Sequence, residues 1–494
     1  GEALARVGGG DSYGGGGGGG GGYGGGGGDD GAWIILIWYI VRFLIWLTIE
    51  YPIIGIPLDI VFVVVVILVL RQKSRSRGTG RRATPQRQAA RLSAQQRAVQ
   101  VNRALDRLHE EDQNFSRPLL LDFVQLLYTR AHEHRGSGKL DLLAPYLSKA
   151  ARKQLAEQAR PGDLSAVEGI VIGASRILKV GSWGGARRAL TVEFEANYTE
   201  RRGSGEGASR NTLYTRERWI FSRKAGVLSQ GPDSIAALRC PSCGSAVELA
   251  TDGTCPYCHN IVDRGDFHWN VAAIQVLARR PRDASEVHRG GGAEVGTQLP
   301  TVVHPGLASQ LRALKVRDAE FDLQGFKSRV GHVFGELQQA WTSLAWERAR
   351  AFETDHLYTT HRYWIEQFEA AGARNVLDRI ELGEIELAKV EQDAYFDALT
   401  VRVFASMLDY TEDADGQLLS GSRTKPRSFS EYWTFIRRAG RGSAAAAEPD
   451  SCPSCGAGLK VSQAGVCEYC GTKVVTGEFG WVLSSIEQDE VYGG

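Results

Sequence analysis

The chain has 494 residues, 43% hydrophobic and 23% charged, with a formal net charge of +1. That length fits about three domains of ordinary size, and near-zero charge excludes a protein that coats nucleic acid along its whole length. The average hides segregation: 19 of the 60 glycines lie in the first 31 residues, and ten Arg or Lys with no acidic residue lie between Arg71 and Leu105. Arg outnumbers Lys 46 to 12, the usage of a GC-rich, bacterial genome.

In chain order, Ala3-Leu4-Ala5 has the small-x-small pattern of a signal-peptidase site. Residues 1–31 therefore read as a signal-peptide remnant followed by a Gly-rich tether that cannot bury a core. Residues 32–70 are almost wholly apolar and read as a membrane anchor of one or two segments. A helix from Ala32 to Ile49 would be about 27 Å long, just enough for the hydrocarbon core. Trp33, Trp38, Tyr39, Trp46 and Tyr51 suit an interface. Arg42 is costly at mid-bilayer. Ile53–Leu70 is the cleaner span, with Pro57 near its start and Asp59 needing an interface or a partner. Residues 71–111 form a basic neck and amphipathic helix, which the positive-inside rule keeps in the cytoplasm. These features predict a bacterial inner-membrane protein with cytoplasmic C-terminal domains.

Eight cysteines follow one spacing twice, C-x2-C-x11-C-x2-C: Cys240, Cys243, Cys255 and Cys258, then Cys452, Cys455, Cys467 and Cys470. Each set opens with Cys-Pro-Ser-Cys-Gly, where Pro presets one backbone angle and Gly supplies a conformation that side chains disfavour. Disulfides of an exported protein are the alternative. Paired knuckles at zinc-ribbon spacing favour metal, with four thiolates around each of two structural zinc ions and no open position for catalysis. His259 follows Cys258, but its counterpart is Gly471, so it is not expected to be a ligand.

The similarity extends past the ribbons. Trp219-Ile220-Phe221-Ser222-Arg223-Lys224-Ala225-Gly226 parallels Trp433-Thr434-Phe435-Ile436-Arg437-Arg438-Ala439-Gly440, and Gly265-Asp266-Phe267-His268-Trp269 parallels Gly477-Glu478-Phe479-Gly480-Trp481. Upstream, Thr191–Ala196 parallels Thr400–Ala405. These runs alternate apolar and polar residues, as half-buried antiparallel strands do, so each ribbon reads as an insertion between two strands. Helical patterns come first: Leu119 to Tyr128 and Leu142 to Leu155 in one half, and Phe326, Val330, Val333, Phe334, Leu337 and Trp341 in the other. Helices followed by strands predict an α+β class. The expected domains are 112–280 with a ribbon over 240–258, a flexible linker over 281–315 around Gly290-Gly291-Gly292, and 316–492 with a ribbon over 452–470.

The second half resembles the TIM-forty-four-like domain family, the membrane-associated import translocase subunit of mitochondria and its bacterial relatives. The resemblance is carried by Asp318-Ala319-Glu320-Phe321, Phe326, Thr400–Ala405, Glu431-Tyr432-Trp433-Thr434-Phe435-Ile436-Arg437, and Trp481-Val482-Leu483 through Ile486-Glu487. The first half matches more weakly, through Arg216-Glu217-Arg218-Trp219-Ile220-Phe221. The resemblance implies a nuclear-transport-factor-two-like cone in each half, helices across a curved antiparallel sheet around an apolar pocket. It also implies lipid binding and scaffolding at a translocon. The long charged helical region used for motor recruitment is missing; only Pro85 to Glu111 is comparable, and it is short.

The function expected is a membrane-anchored scaffold or adaptor that binds polypeptide or lipid, linked to protein translocation or membrane-protein assembly. Its partners would be anionic inner-membrane lipid and another membrane or translocon protein. The alternative is a small-ligand or lipid-binding protein, or an enzyme, using a cone's pocket. No nucleophile or phosphate-binding motif stands out, so the chain is not expected to be an enzyme. His132-Glu133-His134 reads as a solvated loop, and His356 and His361 as core or surface residues. Nucleic-acid binding through the ribbons is disfavoured, because Lys and Arg are absent between Cys240 and Cys258 and only Lys460 lies between Cys452 and Cys470. Trp219, Trp269, Trp433 and Trp481 read as core.

Overall fold

In the computed structural model of the protein, the described residues are 85–159, 163–204, 208–232, 238–246, 253–282, 297–440, 451–462, 465–489 and 492–494. The Gly-rich tether, the apolar anchor 32–70 and the basic run before Pro85 lie outside them. Among the described residues no helix is long and apolar enough to cross a membrane. The chain divides into a unit over Gly16–Ala89, of which only the start of the first helix is described, and a larger unit that includes Ala90–Gly494. The larger unit holds both sheets and every described helix after the first.

Helix α1 spans Pro85–Glu111 and ends by packing Leu105 and Leu108 into the first hydrophobic core. Helix α2, Arg117–Ser137, buries Leu120, Phe123, Val124, Leu127, Tyr128 and Ala131, a stripe at three- and four-residue spacing. It stops at Gly138, whose φ of 72° is the left-handed cap that a side chain would strain. A 3-10 turn over Leu140–Leu143 and helix α3, Lys149–Gln158, follow. Four antiparallel strands then run in simple order: β1 Leu164–Trp183, β2 Arg187–Arg202, β3 Ser209–Lys224 and β4 Asn270–Pro281. In β3, Thr215, Glu217, Trp219 and Phe221 are buried while Arg216, Arg218 and Ile220 between them are half-buried, the two-residue period of a one-sided sheet.

The second half repeats the plan. Helices α4 Leu307–Arg317, α5 Leu323–Thr342 and α6 Asp355–Ala370 precede strands β5 Ala373–Gln392, β6 Phe396–Asp413, β8 Arg427–Arg438 and β9 Val482–Gln488. A short strand β7, Leu418–Gly421, pairs with β6. Asp322 caps α5 by accepting from Gln324 N–H and Gly325 N–H. Val192 faces Trp219 across β2 and β3 as Val401 faces Trp433 across β6 and β8. β1 slips register between Glu168/Val171, Ile172/Ala174 and Ile177/Lys179, and β5 between Asp378/Glu381, Leu382/Ile385 and Leu387/Lys389. Bulges at matching places bend both first strands and so curve both sheets over their helices. The α+β class and the two antiparallel sheets expected from the sequence are observed.

The linker 281–315 is taken up from Leu307 by α4, and ahead of it Val302 N–H donates to the Tyr432 hydroxyl at 2.8 Å and His304 N–H to Ala388 O at 2.9 Å. The halves also pack on one another. His356 on α6 lies 3.0 Å from Asp122 on α2, Arg282 donates to Gln367 Oε1 at 3.0 Å, and Phe396 and Ile436 join the first core.

Candidate metal centres

Both tetrads sit where strand pairing breaks. The first occupies the connection from β3 to β4 and the second that from β8 to β9. In each set the four sulfurs lie within 4.8 Å of one another, and no cysteine is in a disulfide. Cys240 Sγ is 3.9 Å from Cys258 Sγ, Cys243 Sγ 3.9 Å from Cys255 Sγ, and Cys452 Sγ 3.9 Å from Cys470 Sγ. Sulfurs about 2.3 Å from a common tetrahedral ion would stand ~3.8 Å apart. The sulfur positions thus fit an ion at each centre, and two tetra-cysteine sites could each hold one.

The knuckles place the sulfurs by backbone geometry. Gly244 N–H donates to Cys240 O at 2.9 Å, His259 N–H to Cys255 O at 2.9 Å, Gly456 N–H to Cys452 O at 2.8 Å and Gly471 N–H to Cys467 O at 2.9 Å. Each of these donors is left-handed, with φ of 76°, 59°, 74° and 73°. His259 therefore holds the turn position that glycine holds in the other three knuckles, and its ring is not needed as a ligand. Burial pushes the Cys240 thiol up to about 12. At Cys255 burial acts the same way, but N–H groups of Cys258 and Tyr257 outweigh it and bring the thiol down to about 6. The Thr472 hydroxyl and N–H do likewise for Cys470, also about 6. Donors aimed at sulfur favour the thiolate a cation needs.

Around the ribbons lies a set of buried charges present in both halves. Arg223 donates to Asp112 Oδ2 at 2.7 Å and lies 4.5 Å over the Trp269 ring; Arg437 donates to Asp318 Oδ2 at 2.8 Å and lies 4.6 Å over Trp481. The Trp219 indole N–H donates to Glu217 at 2.8 Å, and that of Trp433 to Glu431 at 3.0 Å. Three of the four tryptophans expected in the core are buried there, and Trp481 is half-buried against it. Sequence reasoning missed Asp112, although Asp112-Gln113-Asn114-Phe115 repeats the Asp-x-x-Phe of Asp318 to Phe321.

His132-Glu133-His134 is no loop: all three lie on α2, and His132 is wholly buried with its Nε2 3.4 Å from Glu217 Oε2. Tyr128, Tyr198 and Trp219 surround it, so the segment is polar in composition but helical in period. Burial lowers the His132 pKa, while at Glu217 the neighbouring His132 and the Trp219 indole outweigh burial and hold that carboxyl low. His361 contacts Glu353 at 2.6 Å, both buried, beneath Trp346. The inner face of sheet 1 is thus filled by aromatic rings where the family resemblance implies an apolar pocket. A shallow cleft, partly open to solvent, lies between Phe115, Ser116, Gln230, His268 and Trp269.

No curated protein matches the chain. Among solved structures it is similar to one titled an "Ntf2 like protein involved in plasmid conjugation", at 8% identity over 70% of this chain and 92% of that one. The TM-score of 0.16 is too low for that likeness to carry an argument. The family comparison bears on the second half alone; the likeness of the first half to it rests on the matching strands, bulges and buried pairs. Residues 307–446, from α4 through β8, match the model of the Tim44-like domain.

Proposed function

We propose that the protein is a membrane-anchored scaffold that holds a polypeptide or lipid partner at the bacterial inner membrane, in a role related to translocation or membrane-protein assembly. The observation that carries this is the Tim44-like domain over residues 307–446. The apolar stretch 32–70 and the basic run after it support a tether, since positive residues near a leaflet gain about 1 kcal/mol each from anionic headgroups. In this reading both tetrads hold zinc, with all four positions filled by thiolate, and serve folding instead of catalysis. The chain is then no enzyme, and its buried His and Glu residues belong to the core.

Crosslinking the full-length protein in native membranes, with mass spectrometry of what co-purifies, tests the scaffold. Translocon components or another membrane protein should be recovered; recovery of lipid alone would transfer the role to a lipid site. Metal analysis of the purified chain should find two zinc ions, and well under two would remove the zinc assignment.

A further inference from the structure

The two ribbons dock differently. The first rests on its own half: the Tyr146 hydroxyl donates to Arg239 O at 2.6 Å, Arg187 to Asp266 at 3.0 Å, and Asn270 to Asp263 O at 3.2 Å. The second reaches the helix that joins the halves. Lys473, three residues after Cys470, contacts Asp355 Oδ2 at 2.5 Å, and Asp355 is the first residue of α6. Buried Arg350 pairs with the other oxygen of Asp355. Gly465 lies so close that a Cβ there would fall 2.6 Å from Arg350 Nη2 and 2.4 Å from Val475 Cγ2.

The metal knuckle holds these contacts in place. Val466 bridges Lys473, Val461 bridges Cys467, and Val474 N–H donates to Gly465 O at 2.9 Å. Val474 and Val475 form one cluster with Cys452 and Cys467. One residue beyond Asp355, His356 meets Asp122 of the first half at 3.0 Å, and further along α6 Tyr363 presses on Gly173 of β1. Among the described residues the first half has no such link. Glu353 bridges Leu483 as Leu147 bridges Val271. In that alignment Ala144 stands for Arg350, Lys149 for Asp355 and Ile261 for Lys473.

We infer that the second ribbon is a metal-dependent brace for the junction between the halves: an ion on Cys452, Cys455, Cys467 and Cys470 holds Lys473 and Gly465 against Arg350 and Asp355, and so holds α6 on the first half. Loss of that ion, by chelation or thiol oxidation, frees the start of α6, while loss of the first ion does not. The inference rests on the reading that the tetrads bind metal.

Hydrogen exchange and metal content, measured together on the full chain, test it. Cys470→Ser should lose one ion and speed exchange at amides 358–362 about tenfold or more, as local opening does. Cys258→Ser should lose the other ion and leave those amides protected. Lys473→Ala, which spares every ligand, should keep both ions yet speed the same amides. Equal effects from Cys258→Ser and Cys470→Ser, or unchanged exchange in Cys470→Ser and Lys473→Ala, would overturn the brace. A wild-type chain without metal would instead overturn the reading beneath it, and Lys473→Ala would still report on the contact.

Discussion

His259 tests what a knuckle asks of one residue. It stands at φ 59° where Gly244, Gly456 and Gly471 stand in the other knuckles, and its side chain is exposed. His259→Gly should leave the metal count unchanged and stabilise the chain by about 0.5–1 kcal/mol in denaturant titration. A lost ion would instead make the ring a ligand. His268 tests what burial does to a base. Enclosed by Phe123 at 4.6 Å and Tyr146 at 5.5 Å, it has its pKa lowered by burial from 6.5 to about 4. Because the folded pKa lies below the unfolded one, protons favour the unfolded chain. Stability should be full above about pH 6.5 and fall toward pH 4, by up to about 3 kcal/mol. His268→Phe should remove that slope in denaturation curves at pH 7 and pH 4.5; an unchanged slope would assign it to other groups, buried His132 first.

Among the elements, the bulged first strands show the same control by backbone conformation. Gly169 at φ 60° and Arg379 at φ 49° occupy matching bulges, Glu168/Val171 of β1 and Asp378/Glu381 of β5. No atom lies within 4 Å of a Cβ built at Gly169, so backbone conformation alone distinguishes the residues there. Arg379→Gly should stabilise the chain by about 0.5–1 kcal/mol, and Gly169→Arg should destabilise it by about 1–2 kcal/mol. Thermal melts of the two variants, moving in opposite directions, check the pair. A sheet can bend at these points because each extra residue breaks the ladder where the strand turns over its helices.

At the scale of the molecule, the two halves are joined through contacts that no local pattern announces. A Cβ at Gly173 would fall 2.6 Å from the Tyr363 ring, itself buried between α6 and β1. Gly173→Val should cost about 1–3 kcal/mol by overpacking and speed limited proteolysis of the chain. If stability and cleavage stay at the wild-type level, α6 does not lock the halves together. The same junction bears on the scaffold reading. A partner held by one half meets a body whose other half is fixed to it through His356, Arg282 and Tyr363.

The two tetrads, the helix-then-strand order and the place of each ribbon between two strands are legible in the chain, because knuckle spacing and two-residue alternation are local properties of a backbone. So is the core role of Trp219, Trp269 and Trp433, whose size and flanking pattern leave few other places. The place of His132 is hidden because its neighbours are polar, and only the sheet opposite α2 decides that one face of that segment is enclosed. The pairing of Arg223 with Asp112 and of Arg437 with Asp318 has a faint trace in the repeated Asp-x-x-Phe, with nothing local to say that the two elements meet. Lys473, Asp355 and Arg350 leave no trace at all. Composition and spacing determined what each half is made of, while the docking of the second ribbon on α6 and of α6 on β1 was decided in three dimensions, since a contact between residues distant in the chain depends on packing that neither segment encodes alone.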